Sequence, residues 1–279
     1  MTILKKILLW ILAFVITVGA AYYQRITGPT YPAKAHITIN GTTTVQELKR
    51  TQTNTQPCNI EIQAPDNVTG QLFFRRYPGT EEWTVTTMQR TGNILSGLLP
   101  SQPAAGKLEY YISLTDGHGG EFTVCKENPV VIRFKGDVPA GVLIPHILLM
   151  FAAMLLSTLA GLFAVSGYSS QRIYGQLTLL ILLAGGFILG PLVQNYAFGE
   201  LWTGIPFGWD LTDNKTLIAT AVWLAAVLLN RKKESRRWTI IAAIVLLIVY
   251  SIPHSLFGSQ LDYTTNSVTQ GFMVKLISF

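Results

Sequence analysis

The chain has 279 residues, of which 49% are hydrophobic and only 13% are charged, and its formal net charge is +6. A soluble globular domain carries about 25% charged residues, so this composition excludes an ordinary water-soluble protein and indicates a membrane protein. The positive charge does not indicate a nucleic-acid partner. The densest basic run, residues 231–237, lies between two apolar segments, where it is typical of a membrane topology signal.

An apolar run near the N-terminus, residues 7–23, follows two lysines and ends in Tyr22 and Tyr23. Two interpretations compete: a retained membrane anchor, or a signal peptide cleaved at the small residues 19–21. We favour an anchor over residues 1–24, because aromatic residues at its end suit a membrane interface. In both cases the residues that follow lie outside the cytoplasm.

The next region, residues 25–137, has no long apolar run and instead shows short segments of alternating polarity. They are rich in β-branched and aromatic residues and are separated by Gly, Pro, Asn or Asp, which predicts an external antiparallel β-sandwich. The predicted strands are residues 35–40, 58–63, 72–77, 83–88, 107–114 and 130–134.

Three sequence features in this region carry a resemblance: RRYPGTEEWTVTTMQR from Arg75, the Leu99-Pro100 step, and LEYYISLTDGHGG from Leu108. Together they resemble the immunoglobulin-like and fibronectin type III-like modules of exported proteins. The resemblance covers only this region. It implies a fold and no chemistry, because such sandwiches host many unrelated functions.

The two cysteines of the chain, Cys58 and Cys125, both lie in the predicted sandwich. In an oxidising compartment such a pair is expected to form a disulfide, which could stabilise the fold by about 3–5 kcal/mol. The alternative is two unpaired buried thiols. Neither cysteine belongs to a metal-binding C-x-x-C motif.

Four further apolar runs predict membrane helices, which gives a membrane α-helical fold class of five transmembrane helices with an inserted all-β external domain. Their cores are residues 140–165, 177–193, 216–230 and 238–252, and the last two are expected to extend into flanking polar residues. The positive-inside rule then places the basic loops in the cytoplasm. The predicted domains are the anchor 1–24, the sandwich 25–137, a four-helix bundle 138–254 with an external loop 196–215, and an external tail 255–279.

This topology brings two membrane-embedded histidines, His146 and His254, to the outer side together with Asp210 and Asp213 of the external loop. Ionisable groups at membrane depth suggest function, although both histidines could simply be hydrogen-bonded at the interface. The histidines could ligate one b-type haem. With the two aspartates or Glu200 they could instead bind a transition metal that activates water, although no metal-hydrolase motif is present.

The external loop also has an architectural interpretation. Asp213 or Asn214 is predicted to cap the helix that follows, and aspartates suit the positive end of a helix. The aromatic residues would then be ordinary interfacial side chains. The functional candidates in this loop are Glu200, Trp202, Trp209, Asp210, Asp213, Asn214 and Lys215.

The preferred functional hypothesis is a non-enzymatic accessory or assembly subunit of the inner (cytoplasmic) membrane, with its sandwich, the loop 196–215 and the tail 255–279 on the periplasmic or extracellular side. Its expected partners are the lipid bilayer and other membrane proteins, and the external domain is expected to bind protein. Gly186 and Gly190 predict a face for close helix packing. The alternatives are a haem-binding redox subunit and a metal-dependent membrane hydrolase.

Overall fold

The computed structural model describes residues 2–39, 41–79, 81–254 and 258–270, apart from the side chains of Lys232 and Gln270. The chain divides into two compact units. A helical unit contains the N-terminal helix and Val138–Ser259, and a β unit contains Thr30–Asp137 and Gln260–Thr269. Each unit is described by itself below.

The β unit is built from short strands in several sheets. A three-stranded sheet has the order β4-β8-β7, and a six-stranded sheet has the order β3-β11-β9-β5-β6, with β10 paired to β9. Strands β1 and β2 form a separate antiparallel pair. The bounds are β1 Ala33–Ile39, β2 Thr42–Leu48, β3 Thr51–Thr53, β4 Cys58–Gln63, β5 Thr69–Arg76, β6 Thr84–Thr87, β7 Gln89–Thr91, β8 Ile94–Leu99, β9 Lys107–Thr115, β10 Glu121–Val124, β11 Val130–Lys135, β12 Ser259–Asp262 and β13 Ser267–Gln270.

Alternation along the strands produces one core shared by the sheets. In β4 the residues Cys58, Ile60 and Ile62 are buried, while the side chains between them are not. They pack with the buried residues of β9 and β11, such as Ile112 and Phe134, in a single hydrophobic cluster. This is the period of two expected of strands with one face on a core, and the region is a β-sandwich.

A hairpin from the end of the described chain, β12–β13, completes the β unit. The amide of Leu261 donates to the carbonyl of Ala105 at 3.0 Å. The hydroxyl of Tyr263 donates to the carbonyl of Lys107 at 3.0 Å and accepts from the amide of the same residue at 3.0 Å. Sequence reasoning missed this hairpin, because each of its strands has only four residues and a single apolar one, which gives a weak strand pattern. The sequence GFMVKLISF at residues 271–279 could also add a strand to the sandwich, but it lies outside the described residues.

The helical unit consists of long helices interrupted by one π-helical segment. In this segment, Leu183–Leu189, the turns are wider than in an α-helix. The α-helices are α1 Ile3–Thr27, α2 Ala140–Val165, α3 Gln171–Leu182, α4 Gly190–Phe198, α5 Leu211–Lys232 and α6 Arg236–Ser251.

Small residues and buried polar side chains form the core of the helical unit. Several buried core residues are alanines, including Ala153, Ala160, Ala219, Ala226 and Ala242. A methyl group on Gly161 would stand only 2.7 Å from the Cβ of Ala243, so α2 and α6 are in direct contact there. Small residues allow this close approach of helix backbones.

Buried polar side chains join three helices at one end of this unit. Asn230 of α5 donates to the hydroxyl of Thr239 of α6 at 3.2 Å, and that hydroxyl in turn donates to the amide oxygen of Gln171. Basic residues lie at the same end: Arg172 donates to the carbonyl of Arg231 at 3.1 Å. The bonds hold the α2–α3 connection and the α5–α6 connection at one end of the unit.

The prediction of five transmembrane helices with an inserted sandwich is wrong. Within the described residues, three helices are long and apolar enough to cross a membrane: Ile3–Thr27, Ala140–Val165 and Gln171–Phe198, the last including the π-helical segment. Helix α6 has only 16 residues, which span about 24 Å against about 30 Å of hydrocarbon. Helix α5 begins and ends in charged turns. The β-rich region simply follows the N-terminal helix.

Two further expectations about the β unit differ from the structure. The predicted sandwich is fully antiparallel, but β3 and β11 pair in parallel, with Arg133 opposite Thr51. The structure contains Cys58 and Cys125 as free thiols, the first buried and the second half-buried. Burial raises the pKa of both thiols above the ordinary value. Both are therefore poor thiolates at neutral pH.

Candidate functional site

A cavity of about 300 Å³ lies within the helical unit, bordered by α2, the π-helical segment, α4, the start of α5 and the turn after α6. It is called the helical cavity below. Its wall includes His146, His254, Asp210 and Asp213. The structure thus brings together the four residues that sequence topology placed on one side, although their role stays a prediction. A volume of this size lies at the lower end of small-ligand sites.

The π-helical segment explains how His146 is held. The amide of Gly190 bonds the carbonyl of Gly185, five residues earlier, as the wider π-helical turn requires. The same carbonyl accepts a hydrogen bond from Nδ1 of His146 at 2.9 Å. A carbonyl only accepts, so Nδ1 carries the proton and Nε2 of the neutral ring is an acceptor.

Asp210, and not Asp213 or Asn214 as predicted, caps α5. Its Oδ1 accepts from the amides of Thr212 at 2.8 Å and Asp213 at 3.3 Å. Helix α5 begins at Leu211, five residues before the apolar run that starts at residue 216, so the cap also lies earlier in the chain. The carboxylate also suits the positive end of the helix.

The two residues first predicted as caps instead fasten the loop between α4 and α5. Asp213 accepts from the amide of Thr203 at 2.6 Å and from its hydroxyl at 3.2 Å. Asn214 accepts from the amide of Ile205 at 2.8 Å. Gln194 of α4 donates to the hydroxyl of Thr203 at 2.7 Å. Sequence reasoning missed Gln194, whose place on α4 only the structure supplies.

Lys215 is only 4% exposed and is held at the other side of the site. Its Nζ donates to the carbonyl of Ile252, the C-cap of α6, at 2.8 Å. The charge of Asp210 lies close enough to act on it. This cation therefore ties the start of α5 to the end of α6.

His254 lies beyond the end of α6, near His146 and Lys215. Its side chain is accessible to solvent, yet protein atoms surround it closely. Both observations agree if the ring faces the helical cavity, because cavity walls are accessible without being at the outer surface.

The remaining loop candidates point away from the helical cavity. Glu200 is exposed, and Phe207 and Trp209 are 81% and 65% exposed. Trp202 stacks on Phe187 with ring centroids 5.3 Å apart and donates to the carbonyl of Ile205. The loop is therefore fastened from inside and displays aromatic residues outward.

The metal-hydrolase hypothesis gains no support from this geometry. Among the described residues, no three His, Cys, Asp or Glu side chains come close enough to hold one metal ion. The two aspartates already accept hydrogen bonds from backbone amides: Asp213 from the loop at Thr203, and Asp210 from the helix start at Thr212. The candidate ligands therefore do not converge on one point.

A second notable cluster lies on the β unit, on the face of the six-stranded sheet opposite the core. Phe73 stacks on Tyr111 with centroids 4.6 Å apart, and Trp83 meets the same ring edge-on at 4.8 Å. Arg75 lies 4.3 Å over Trp83 and forms an ion pair with Glu109. These five residues are called the aromatic–arginine cluster below.

Comparison of the chain with protein-family models and with curated proteins found no match.

Proposed function

We propose that this protein is a non-enzymatic accessory subunit of a membrane assembly, which uses its β unit to bind a partner protein. The observation that carries the proposal is the aromatic–arginine cluster. Trp, Tyr and Arg are the residues that dominate the binding energy of protein interfaces. Here they are stacked in advance, so binding would cost little side-chain entropy.

The surroundings of the cluster favour a protein over a small molecule as the ligand. Tyr111 is only 7% exposed because its neighbours cover its ring, while Val85, opposite Phe73 on β6, is 48% exposed. The cluster is thus a patch of side chains packed against one another beside an exposed residue. Packed patches with half-buried aromatic anchors are typical of protein interfaces.

Site-specific photocrosslinking tests the proposal. A photoreactive phenylalanine analogue at Val85 is expected to capture a discrete protein from intact cells. The same analogue at Leu98 is the matched control, because Leu98 is 54% exposed but lies on the three-stranded sheet. Equal capture from both positions, or capture of lipid only, would contradict the proposal.

The proposed location is the inner membrane of a bacterial-type cell, with the β unit on the periplasmic side. The three apolar helices support membrane association, and the arginines at the α2–α3 and α5–α6 connections support a cytoplasmic position for that end. The proposal includes an immunoglobulin-like fold for the β unit. An oxidising compartment would also favour a disulfide between Cys58 and Cys125. Alkylation of intact cells before and after reduction measures this: unchanged labelling means that the thiols stay free.

A haem-binding redox subunit is the second candidate, favoured by the two histidines on one cavity wall. The hydrogen bond from Nδ1 of His146 to a backbone carbonyl is the kind of bond that orients metal-ligating imidazoles. A reduced-minus-oxidised visible spectrum tests this candidate. Soret and α bands that disappear in both His146→Ala and His254→Ala would establish it, and a flat spectrum would exclude it.

A further inference from the structure

The polar residues that line the helical cavity leave hydrogen-bond acceptors available, because several of their donors are used within the protein. Nδ1 of His146 donates to the carbonyl of Gly185 at 2.9 Å, and Gln194 donates to the hydroxyl of Thr203 at 2.7 Å. The hydroxyl of Thr216 donates to a backbone carbonyl one turn earlier at 3.0 Å. Acceptor atoms such as Nε2 of the histidine remain for a ligand.

The acidic side chains add to this surplus. Both hydrogen bonds from backbone amides to the Asp210 side chain are accepted by Oδ1. Within residues 2–39, 41–79, 81–254 and 258–270, no hydrogen bond reaches its Oδ2. The side chain is only 3% exposed, and it lines the helical cavity. Asp213 lines the cavity beside it. Lys215 lies nearby, but its ammonium donates to a backbone carbonyl instead.

Apolar side chains line the same cavity. They are Leu143, Ile147, Met150, Val193 and Phe198. A ligand that satisfies both the polar and the apolar lining has several N–H donors, a positive charge and a hydrocarbon part. A carboxylate with a neighbouring imidazole acceptor suits an ammonium group, because charge-assisted hydrogen bonds are the stronger kind.

We propose that the helical cavity binds a primary ammonium group attached to a short apolar chain. A free alkylamine and the ethanolamine headgroup of a phospholipid both present this chemistry. A metal ion fits less well, because no three His, Cys, Asp or Glu side chains of the described residues converge on one point. The inference does not depend on the proposed role of the β unit.

Thermal unfolding of the intact protein in detergent, followed by tryptophan fluorescence, tests the soluble form of the ligand. Saturating n-butylammonium is expected to raise the unfolding midpoint by about 2–4 °C, because it binds only the folded state. Butyltrimethylammonium has the charge without N–H donors, and 1-butanol has the chain without the charge. Both are expected to shift the midpoint by less than about 1 °C.

Lipid nanodiscs test the membrane source of the same group. Phosphatidylethanolamine and phosphatidylcholine share a phosphate but differ in that only the first has a primary ammonium. A higher midpoint in phosphatidylethanolamine discs, together with that lipid retained in native mass spectra, identifies a lipid headgroup. A shift with butylammonium alone identifies a free amine. No shift in either arm, or a haem spectrum in the same protein, overturns the proposal.

Two variants connect the effect to the helical cavity. Asp210→Asn keeps an oxygen to cap α5 but converts an acceptor into a donor, and it is expected to weaken butylammonium affinity about tenfold or more in calorimetry. Asp116→Asn is the matched control, because Asp116 accepts two backbone amides in a turn of the β unit. Its affinity is expected to stay within about twofold.

A variant that fills space covers the case in which Asp210→Asn does not fold. Ala197 borders the helical cavity and is 5% exposed. Ala197→Leu places hydrocarbon in the space that the ligand chain would occupy, so it should abolish the butylammonium shift while raising the midpoint without ligand or leaving it unchanged. Unchanged affinity in both variants would place the binding elsewhere and contradict the proposal.

Discussion

The cores of the β unit and the helical unit differ in the size and polarity of their buried side chains. The β unit buries large side chains such as Tyr110, Phe134 and Ile112, which alternate along strands. The helical unit buries many alanines and glycines around a few large residues such as Trp223, and it adds hydrogen bonds among Gln171, Asn230 and Thr239. In water, removal of apolar area drives folding, but lipid is as apolar as a core. Helices in lipid are therefore held by close packing and polar contacts.

The largest effect should come from emptying the core of the β unit. Phe134 is completely buried, so Phe134→Ala should destabilise the β unit by about 3–5 kcal/mol through lost burial and the cavity left behind. Hydrogen exchange of the β-unit peptides in the intact chain measures this loss. Leu98→Ala, at an exposed position on β8, should change the same peptides by less than about 0.5 kcal/mol. Equal effects would mean that apolar burial does not hold this unit.

In the helical unit the opposite change, added volume, should cause damage. Gly161→Ala places a methyl group 2.7 Å from the Cβ of Ala243, so α2 and α6 must separate, at about 1–3 kcal/mol. Unfolding in mixed micelles with a denaturing detergent measures the change. Gly141 on the same helix has no neighbour within 4 Å of such a methyl group. If Gly141→Ala were as harmful, the close packing of α2 and α6 would not be the cause.

A buried lysine gives the β unit a pH dependence. Burial, and next the charge of Arg133, lower the pKa of Lys107 from its ordinary value of 10.5 to about 7. Between these values the unfolded chain keeps a proton that the folded chain has released, so stability rises with pH above 7 and does not respond to this group below 7. From pH 7 to 8.5 the gain should be about 1–2 kcal/mol by hydrogen exchange.

Lys107→Met removes this slope and so isolates the lysine. The window ends below pH 9, because buried Tyr110 and Cys58 have raised pKa values and their ionisation in the unfolded chain lowers stability at higher pH. A slope that persists in Lys107→Met would assign the pH dependence to another group.

The smallest effect should come from the hydrogen bonds of the helical unit. Thr239→Val keeps the shape of the side chain but removes its bonds to Asn230 and Gln171, which should cost about 0.5–1 kcal/mol in mixed micelles. Thr43, which is exposed and bonded to Thr38, allows the same substitution in the β unit. If Thr43→Val lowered the free energy of unfolding as much as Thr239→Val or more, the contrast between the two units would be contradicted.

Patterns of short range were readable from the sequence. Cys58–Gln63 is predicted to the residue because its polarity alternates strictly, and Lys107–Thr115 and Val130–Lys135 differ from prediction by one residue. The grouping of His146, His254, Asp210 and Asp213 around one cavity was also anticipated, although the five-helix topology used to infer it is wrong. Loop charges and chain direction limit strongly where such residues meet.

What the sequence did not reveal depends on the geometry of the backbone. A run of apolar residues and glycines does not distinguish an α-helix from π-helical turns. Here the π-helical segment contains Gly185, whose carbonyl accepts the hydrogen bond from His146. Asp210, Asp213 and Asn214 are all suitable caps, so only the place where the chain enters α5 selects Asp210. The membrane count failed on α5 and α6, because an apolar run alone does not show that α5 has charged end turns and that α6 has only 16 residues.

The hairpin β12–β13 makes the β unit depend on residues that are translated after the helical segment. Most of the unit is translated before the helices from Ala140 onward, but its final hairpin is translated after α6. A chain that stops within the helical segment leaves Lys107 without Gln260, which binds its ammonium at 3.0 Å, and without the hydroxyl of Tyr263. A truncated chain therefore lacks contacts in a unit most of which was translated long before the break.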